Sequence, residues 1–298
     1  MMKVLILGGS GMLGHKLWQR FNGLFDTYIT LRNQYRSQIP GGLFDASRTL
    51  DSVSVEDFDS TIRVINKINP DIVVNCIGVV KQTALARDPL TSISVNALFP
   101  HRLAKLCGAK GIRLIQISTD CVFSGRKGNY TEDDISDAQD LYGRTKFLGE
   151  LSYEGCLTLR TSIIGRELAT SYGLIEWFLS QDGGRVKGYT NSIFNGFTTM
   201  QLAEIIGMII GEYPDMSGVW NVASKPISKY ALLSLVKQIY GLNIQIIPDD
   251  SVIIDRSLNA DPFLNATGFE VPTWHDMIEQ MHLDITYYDE IRRLHAQG

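Results

Sequence analysis

A chain of 298 residues with 44% apolar and 20% charged side chains has ordinary globular composition, enough for one large domain or two small ones. A formal charge of −4 without any clustered Lys/Arg stripe argues against nucleic-acid or membrane-surface partners, which are met by concentrated positive charge. The most apolar late stretch, residues 205–210, is bounded by glycine and falls far short of the roughly 20 residues that span a bilayer, so no membrane segment is expected.

The N-terminal stretch Met2-Lys3-Val4-Leu5-Ile6-Leu7 is too short for a signal core and runs straight into glycines, so it reads as a strand and a cytoplasmic protein is expected. Cys76, Cys107, Cys121 and Cys156 form no C-x-x-C pair and lack histidines at zinc spacing, which predicts reduced thiols and no metal.

Residues 3–7, 27–31, 71–77, 113–118 and 156–160 are short, β-branched and several are apolar throughout, the pattern of parallel strands covered on both faces. Between them Leu13, Leu17 and Phe21 mark one helical face, and Ile62, Ile65 and Ile68 mark another that Asn69-Pro70 stops. Strand and helix in alternation predict an α/β fold with a Rossmann-type doubly wound parallel sheet. Beyond about residue 160 the pattern loosens. Turns at Asp182-Gly183-Gly184 and Asn195-Gly196 precede helices over 200–210 and 229–240. The expected organisation is a dinucleotide-binding domain over 1–165, with 190–225 returning to it, and a smaller substrate lobe from 166–189 and 226–298.

Strand one ends in Gly8-Gly9-Ser10-Gly11-Met12-Leu13-Gly14, a G-x-x-G-x-x-G loop opening onto a helix that should begin near Gly11. Such glycines permit a tight turn and bring backbone N–H groups close to a pyrophosphate at a helix N-terminus. A nucleotide-triphosphate loop needs Lys-Ser/Thr after its last glycine, whereas His15-Lys16-Leu17 follows here. Strand two ends Thr30-Leu31-Arg32, where Arg suits the 2′-phosphate of NADPH better than the ribose hydroxyl of NAD, with NADH as the alternative. Asp45 is a candidate for the adenine side.

Tyr142 and Lys146, in Leu141-Tyr142-Gly143-Arg144-Thr145-Lys146, are spaced i, i+4 and share a helix face. A nearby ammonium and an oxidised nicotinamide favour the phenolate, so the pair suits general acid catalysis. Strand Arg113-Leu114-Ile115-Gln116-Ile117-Ser118-Thr119 ends in hydroxyls at the carboxyl edge, where open α/β sheets hold ligands, and Thr119 there can position a carbonyl oxygen.

Glycine loop, strand-end hydroxyl and Tyr-x-x-x-Lys in this order resemble the extended short-chain dehydrogenase/reductases, and most closely the dTDP-4-dehydrorhamnose reductase branch. The matching stretches are residues 7–14, 70–75, Ser94-Val95-Asn96-Ala97, Ser118-Thr119-Asp120-Cys121-Val122-Phe123-Ser124-Gly125 and 142–146. The resemblance implies Thr119, Tyr142 and Lys146 as the catalytic set. Around the cofactor it implies Gly8, Ser10, Gly11, Met12, Leu13, Gly14, Arg32, Asp45, the Cys76-Ile77-Gly78 turn, Asn96, Ser118, Tyr142 and Lys146, with Arg160 and Ser162 beside the nicotinamide. Its implied substrate is a nucleotide-activated sugar, touched by Val79, Lys81, Thr119, Cys121, Val122, Phe123, Asn195 and, at the diphosphate, Arg256.

Cys121 replaces the branch's usual aromatic, Asn195-Gly196-Phe197-Thr198-Thr199 departs from its Gly-x-Pro-Thr-like segment, and Val79-Val80-Lys81-Gln82 is unusual for it. A UDP-linked N-acetylated 4-keto sugar and the dTDP-linked rhamnose precursor are therefore both open. Dehydratases of the superfamily carry Thr-Asp-Glu where Thr119-Asp120-Cys121 stands. An epimerase and a cofactor-binding regulatory subunit remain as rival readings, and monomer and homodimer are equally open.

Overall fold

The computed structural model describes residues 1–32, 43–79 and 81–295. The first half runs β1 (Lys3–Leu7), α1 (Gly14–Phe21), β2 (Asp26–Thr30), β3 (Thr49–Leu50), α2 (Phe58–Ile68) and β4 (Ile72–Asn75). It continues with α3 (Pro89–Ser92), a π-helical stretch over Ile93–Leu98, α4 (Phe99–Gly108), β5 (Arg113–Ile117), α5 (Leu141–Leu148) and β6 (Cys156–Arg160). Strand positions agree with the sequence pattern to within two residues. Helix α1 starts at Gly14 rather than near Gly11, because residues 8–13 are held in a turn in which the Gly11 N–H donates to the Gly8 carbonyl.

The second half adds β7 (Ile163–Ile164), α6 (Leu174–Leu179), β8 (Arg185–Tyr189), β9 (Ser192–Phe194), β10 (Phe197–Thr198), α7 (Thr199–Glu212) and β11 (Gly218–Asn221). After these come β12 (Ile227–Ser228), α8 (Lys229–Tyr240), β13 (Gln245–Asp249), β14 (Ile254–Asp255), α9 (Asp261–Thr267), α10 (Trp274–His282) and α11 (Tyr288–His295).

Seven strands form one parallel sheet in the order β11-β6-β5-β4-β1-β2-β3. Because side chains alternate across a strand, Val4 and Ile6 enter a core shared with α1 and α7, while Leu5 and Leu7 enter a second core shared with α2 and α4. All four residues are fully buried. The period of two is hidden in the sequence because both faces are apolar. Chain order reverses between β1 and β4, which opens a crevice at their carboxyl ends.

Strand β11 joins the sheet edge beside β6, and α7 packs on α1. Over the sheet lie the pairs β7/β10 and β8/β13 and the trio β12-β9-β14, with a third core between α8, α10 and α6. Only helices and turns were expected here, since strands of two to five residues carry too few positions to show periodicity. Capping chemistry sets several starts and stops. The Asp57, Asp140, Thr198 and Ser228 side chains accept from the first turns of α2, α5, α7 and α8, and Asn69 ends α2 in the left-handed region at φ 48°. Among the described residues no helix is long and apolar enough to cross a membrane.

Candidate active site

The carboxyl ends of β1, β4, β5 and β6 bring the glycine loop, the 76–79 turn, Ser118-Thr119 and 161–162 to one edge. Gly8 lies at φ +84°, a conformation that L side chains avoid. At Gly14 an added Cβ would stand 2.2 Å from the Gly8 carbonyl oxygen, so a side chain there would collide with the loop. Strand, tight turn and helix thus bring bare backbone to a helix N-terminus, the setting in which a dinucleotide pyrophosphate can be held. Met12 lies near residue 173, where an added Cβ would come 2.9 Å from its Cε, and Ser10 is partly buried. The Leu13 side chain is buried in the core under the sheet.

Arg32 stands exposed just past β2, 2.9 Å from Glu56. The exposed Asp45 carboxylate accepts from the Ser47 N–H and hydroxyl, both at 2.8 Å, which holds it below its ordinary value and commits it to its own turn.

The turn after β4 is fastened to α5 by Asn96, which is fully buried on the π-helical stretch. Its Oδ1 accepts from the Val79 N–H at 2.9 Å and its Nδ2 donates to Thr145 Oγ1 at 3.3 Å. Asn75 Oδ1 accepts from the Ile77 N–H, and a Cβ on Gly78 would lie 3.9 Å from Lys146 Nζ. Cys76 is partly buried, and burial pushes its thiol up to about 12. Val80 lies outside the described residues.

Tyr142 and Lys146 share a face of α5, as their spacing predicts. Lys146 is buried and its Nζ donates to the Ile117 carbonyl at 2.6 Å. Burial lowers its pKa to about 8, against the pull of Glu150 and Cys76. Tyr142 hydrogen-bonds with Thr119, yet burial, followed by neighbouring Cys121, drives its phenol above the ordinary value. Among the protein's own groups burial dominates, and the lowering expected from an oxidised nicotinamide would act on top of this raised value. The ammonium is turned to a strand carbonyl, and desolvation outweighs the Thr119 bond. Thr119 Oγ1 also accepts from the Cys121 N–H at 3.1 Å and lies 3.0 Å from Asp120 Oδ1.

Substrate-side expectations divide. Lys81 faces the site: its Nζ is 2.8 Å from Asp140, 3.7 Å from Cys121 Sγ and 5.7 Å from the Tyr142 ring centroid. Arg256 is partly buried, donates to the Phe123 carbonyl at 2.8 Å and draws the Asp120 carboxyl down against the larger upward push of burial. Cys121 is partly exposed, its thiol raised to about 12 by burial.

Several residues expected at the site have their side chains packed or hydrogen-bonded inside the protein. Val79 is buried in a small apolar cluster, and Val122 and Phe123 are wholly buried, Phe123 stacked on Tyr130 at 4.2 Å. The Asn195 amide is spent on the Leu258 backbone, donating at 2.8 Å and accepting at 3.1 Å. The buried Arg160 makes a two-bond ion pair with Glu150 at 2.9 and 2.8 Å and donates to the Glu132 carbonyl, so its guanidinium is committed inside the protein. Ser118 donates to the same Glu150 at 2.7 Å rather than outward. Ser162 is partly buried, its carbonyl accepting from the Phe197 N–H.

The sequence reading missed Lys229, at the start of α8. Burial lowers its pKa, and Asp120, Arg256, Cys121 and Lys81 all act on it. Nothing in its local sequence distinguishes it. Asp140 was also missed, although an Asp three residues before Gly143 at a helix start is an N-cap signal. Lys81, Lys229 and Arg256 thus gather around Asp120 and Cys121, with Asp120 and Asp140 as their counter-charges.

The family model described as RmlD substrate binding domain matches residues 2–173. Over 148 residues the chain is 32% identical to methionine adenosyltransferase 2 subunit beta of Mus musculus, a match covering 50% of this chain and 41% of that one. The chain thus spans less than half the length of that relative. A Haloferax volcanii protein named "Probable low-salt glycan biosynthesis reductase Agl14" is 29% identical over 261 residues, covering 80% of this chain and 82% of its own. The fold resembles that of dTDP-4-dehydrorhamnose reductase from Bacillus anthracis in complex with NADP, with a TM-score of 0.78 and 19% identity over 96% of this chain and all of that one.

Proposed function

The chain belongs to the RmlD substrate binding domain family, and from that premise we propose that it is an NADPH-dependent reductase of the 4-keto group of a nucleotide-activated 6-deoxy-hexulose. The observation that carries this reading is the convergence of Thr119, Tyr142 and Lys146 beside a glycine loop with no room for a Cβ at Gly14. The Haloferax relative named as a glycan biosynthesis reductase supports it over most of both chains. The glycine loop would hold the pyrophosphate. Arg32, paired with the exposed Glu56, can re-pair with a 2′-phosphate at little cost, because exposed ion pairs contribute roughly 0–1 kcal/mol.

When bound, the cofactor supplies hydride to the keto carbon. Thr119 orients the carbonyl oxygen. Tyr142, kept protonated by burial, is the acid that gives that oxygen its proton. Lys146, whose Nζ rests on the Ile117 carbonyl, would steady the phenolate that remains and help hold the cofactor ribose. The cations Lys81, Lys229 and Arg256 attract the anionic nucleotide-sugar, dTDP- or UDP-linked.

Asp120-Cys121 lacks the glutamate expected of a dehydratase, and retention of both Tyr142 and Lys146 speaks against a cofactor-binding subunit without turnover. That second reading is kept because the mouse relative is named as a subunit. NADPH oxidation at 340 nm against a panel of dTDP- and UDP-linked 4-keto-6-deoxy sugars tests the proposal. Turnover with one member is expected, and Tyr142→Phe should cut it by at least about 100-fold while NADPH binding persists. Silence across the panel with NADPH bound would favour the subunit reading, and full activity of the Phe variant would remove Tyr142 from the mechanism.

A further inference from the structure

His15, the residue after Gly14, is fully buried, with Nδ1 2.8 Å from the Gly11 carbonyl oxygen and Nε2 3.1 Å from the Tyr288 hydroxyl of α11. A carbonyl only accepts, so Nδ1 carries the ring hydrogen and Nε2 faces Tyr288 as an acceptor. The Tyr288 hydroxyl also lies 2.7 Å from Asp284 Oδ2, and its one hydrogen is shared between the two. Asp284 is ion-paired with the buried Lys16, whose Nζ also donates to Thr286 at 3.2 Å. Residues 284–288 therefore grip both side chains that follow the glycine loop. The grip is itself braced: Arg166 stacks over the Tyr288 ring at 4.7 Å and pairs with Glu176, which also pairs with Arg292.

The same Gly11 carbonyl accepts the His15 backbone N–H at 3.3 Å, so it is held along α1. In a trans peptide the C=O and the following N–H point in opposite directions. Fixing the Gly11 carbonyl into the helix therefore fixes the Met12 N–H outward from the helix N-terminus, the direction from which such amides meet an anion.

We propose that His15 is a positioning residue that aims the glycine-loop amides at the dinucleotide pyrophosphate, and that the C-terminal segment 284–291 sets cofactor affinity by clasping His15 through Tyr288. This rests on the reading of the loop as a dinucleotide site. Helix α11 lies about 270 residues from the loop in sequence, so no local motif betrays the coupling.

Fluorescence titration of NADPH into the full chain, without sugar, tests the clasp in Tyr288→Phe, His15→Leu, His15→Asn and the double variant Tyr288→Phe/His15→Leu, with the thermal midpoint of each recorded alongside. Loss of one hydrogen bond should raise Kd about 3- to 10-fold in Y288F and in H15L. The double variant should bind no more weakly than H15L, because both act on one carbonyl. H15N, whose amide can still donate to the Gly11 carbonyl, should stay within about twofold of wild type. Unchanged Kd in Y288F, whether or not its thermal midpoint falls, would overturn the proposal, as would additive losses in the double variant. A wild-type chain that binds neither NADPH nor NADH would overturn the cofactor reading together with the clasp.

Discussion

Tyr142 and Lys146 are a pair whose spacing the sequence displays and whose electrostatics it does not. Their i, i+4 separation places both on one face of α5, but burial, which the sequence cannot weigh, raises the phenol and lowers the ammonium to about 8. Because Tyr142 titrates well above its ordinary range, a loss of activity between neutrality and pH 9 belongs to Lys146. The kcat/KM–pH profile should fall as pH rises through about 8. Glu150 pulls the lysine upward, so Glu150→Gln should move that limb to lower pH. A limb unmoved in this variant would remove Lys146 as its source. The expected site residues whose polar groups turn out to be held inside the protein share one physical cause. Arg160, Ser118 and Asn195 are polar groups adjacent to site positions, and their partners, Glu150 and the Leu258 backbone, are fixed only by packing.

At the scale of elements, the β1–loop–α1 unit was readable because each requirement is local: an apolar strand, glycines at turn positions, then an amphipathic helix. The structure adds which glycine is indispensable and why. With an added Cβ at residue 14 only 2.2 Å from the Gly8 carbonyl oxygen and 2.9 Å from Gly9 Cα, both backbone, the collision cannot be relieved by a rotamer change. Gly14→Ala should cost about 1–3 kcal/mol in denaturant unfolding and weaken NADPH binding in the same titration. Wild-type stability and affinity together would show that the loop yields. Helix α5 was legible from its Tyr142–Lys146 spacing, whereas its Asp140 cap emerged only in the structure. The short strands β7 to β10 and β12 to β14 were not, since their pairing is set by partners up to about 60 residues away in sequence.

Across the whole molecule, the buried polar network joining α1, residues 166–176 and α11 ties the chain's two ends together. His15 sits inside it as a neutral ring, its pKa lowered to about 3 by burial and by Lys16. A histidine whose folded pKa lies below its unfolded value of about 6.5 binds fewer protons folded than unfolded. Stability is therefore greatest above about 6.5 and is lost as pH falls through the interval toward 3. Urea unfolding between pH 7 and 4 should show this decline, and His15→Asn should lessen it; an equal decline in both would place its origin in the carboxylates. The sequence alone determined the parallel sheet, the glycine loop and the Tyr-x-x-x-Lys pair, because apolar periodicity, turn chemistry and helical spacing act between near neighbours. Only the tertiary structure decided that Arg160 is an internal strut, that Lys229 joins Lys81 and Arg256, and that Tyr288 reaches His15. Those choices depend on which polar groups lose water together, and desolvation is a property of the packed molecule.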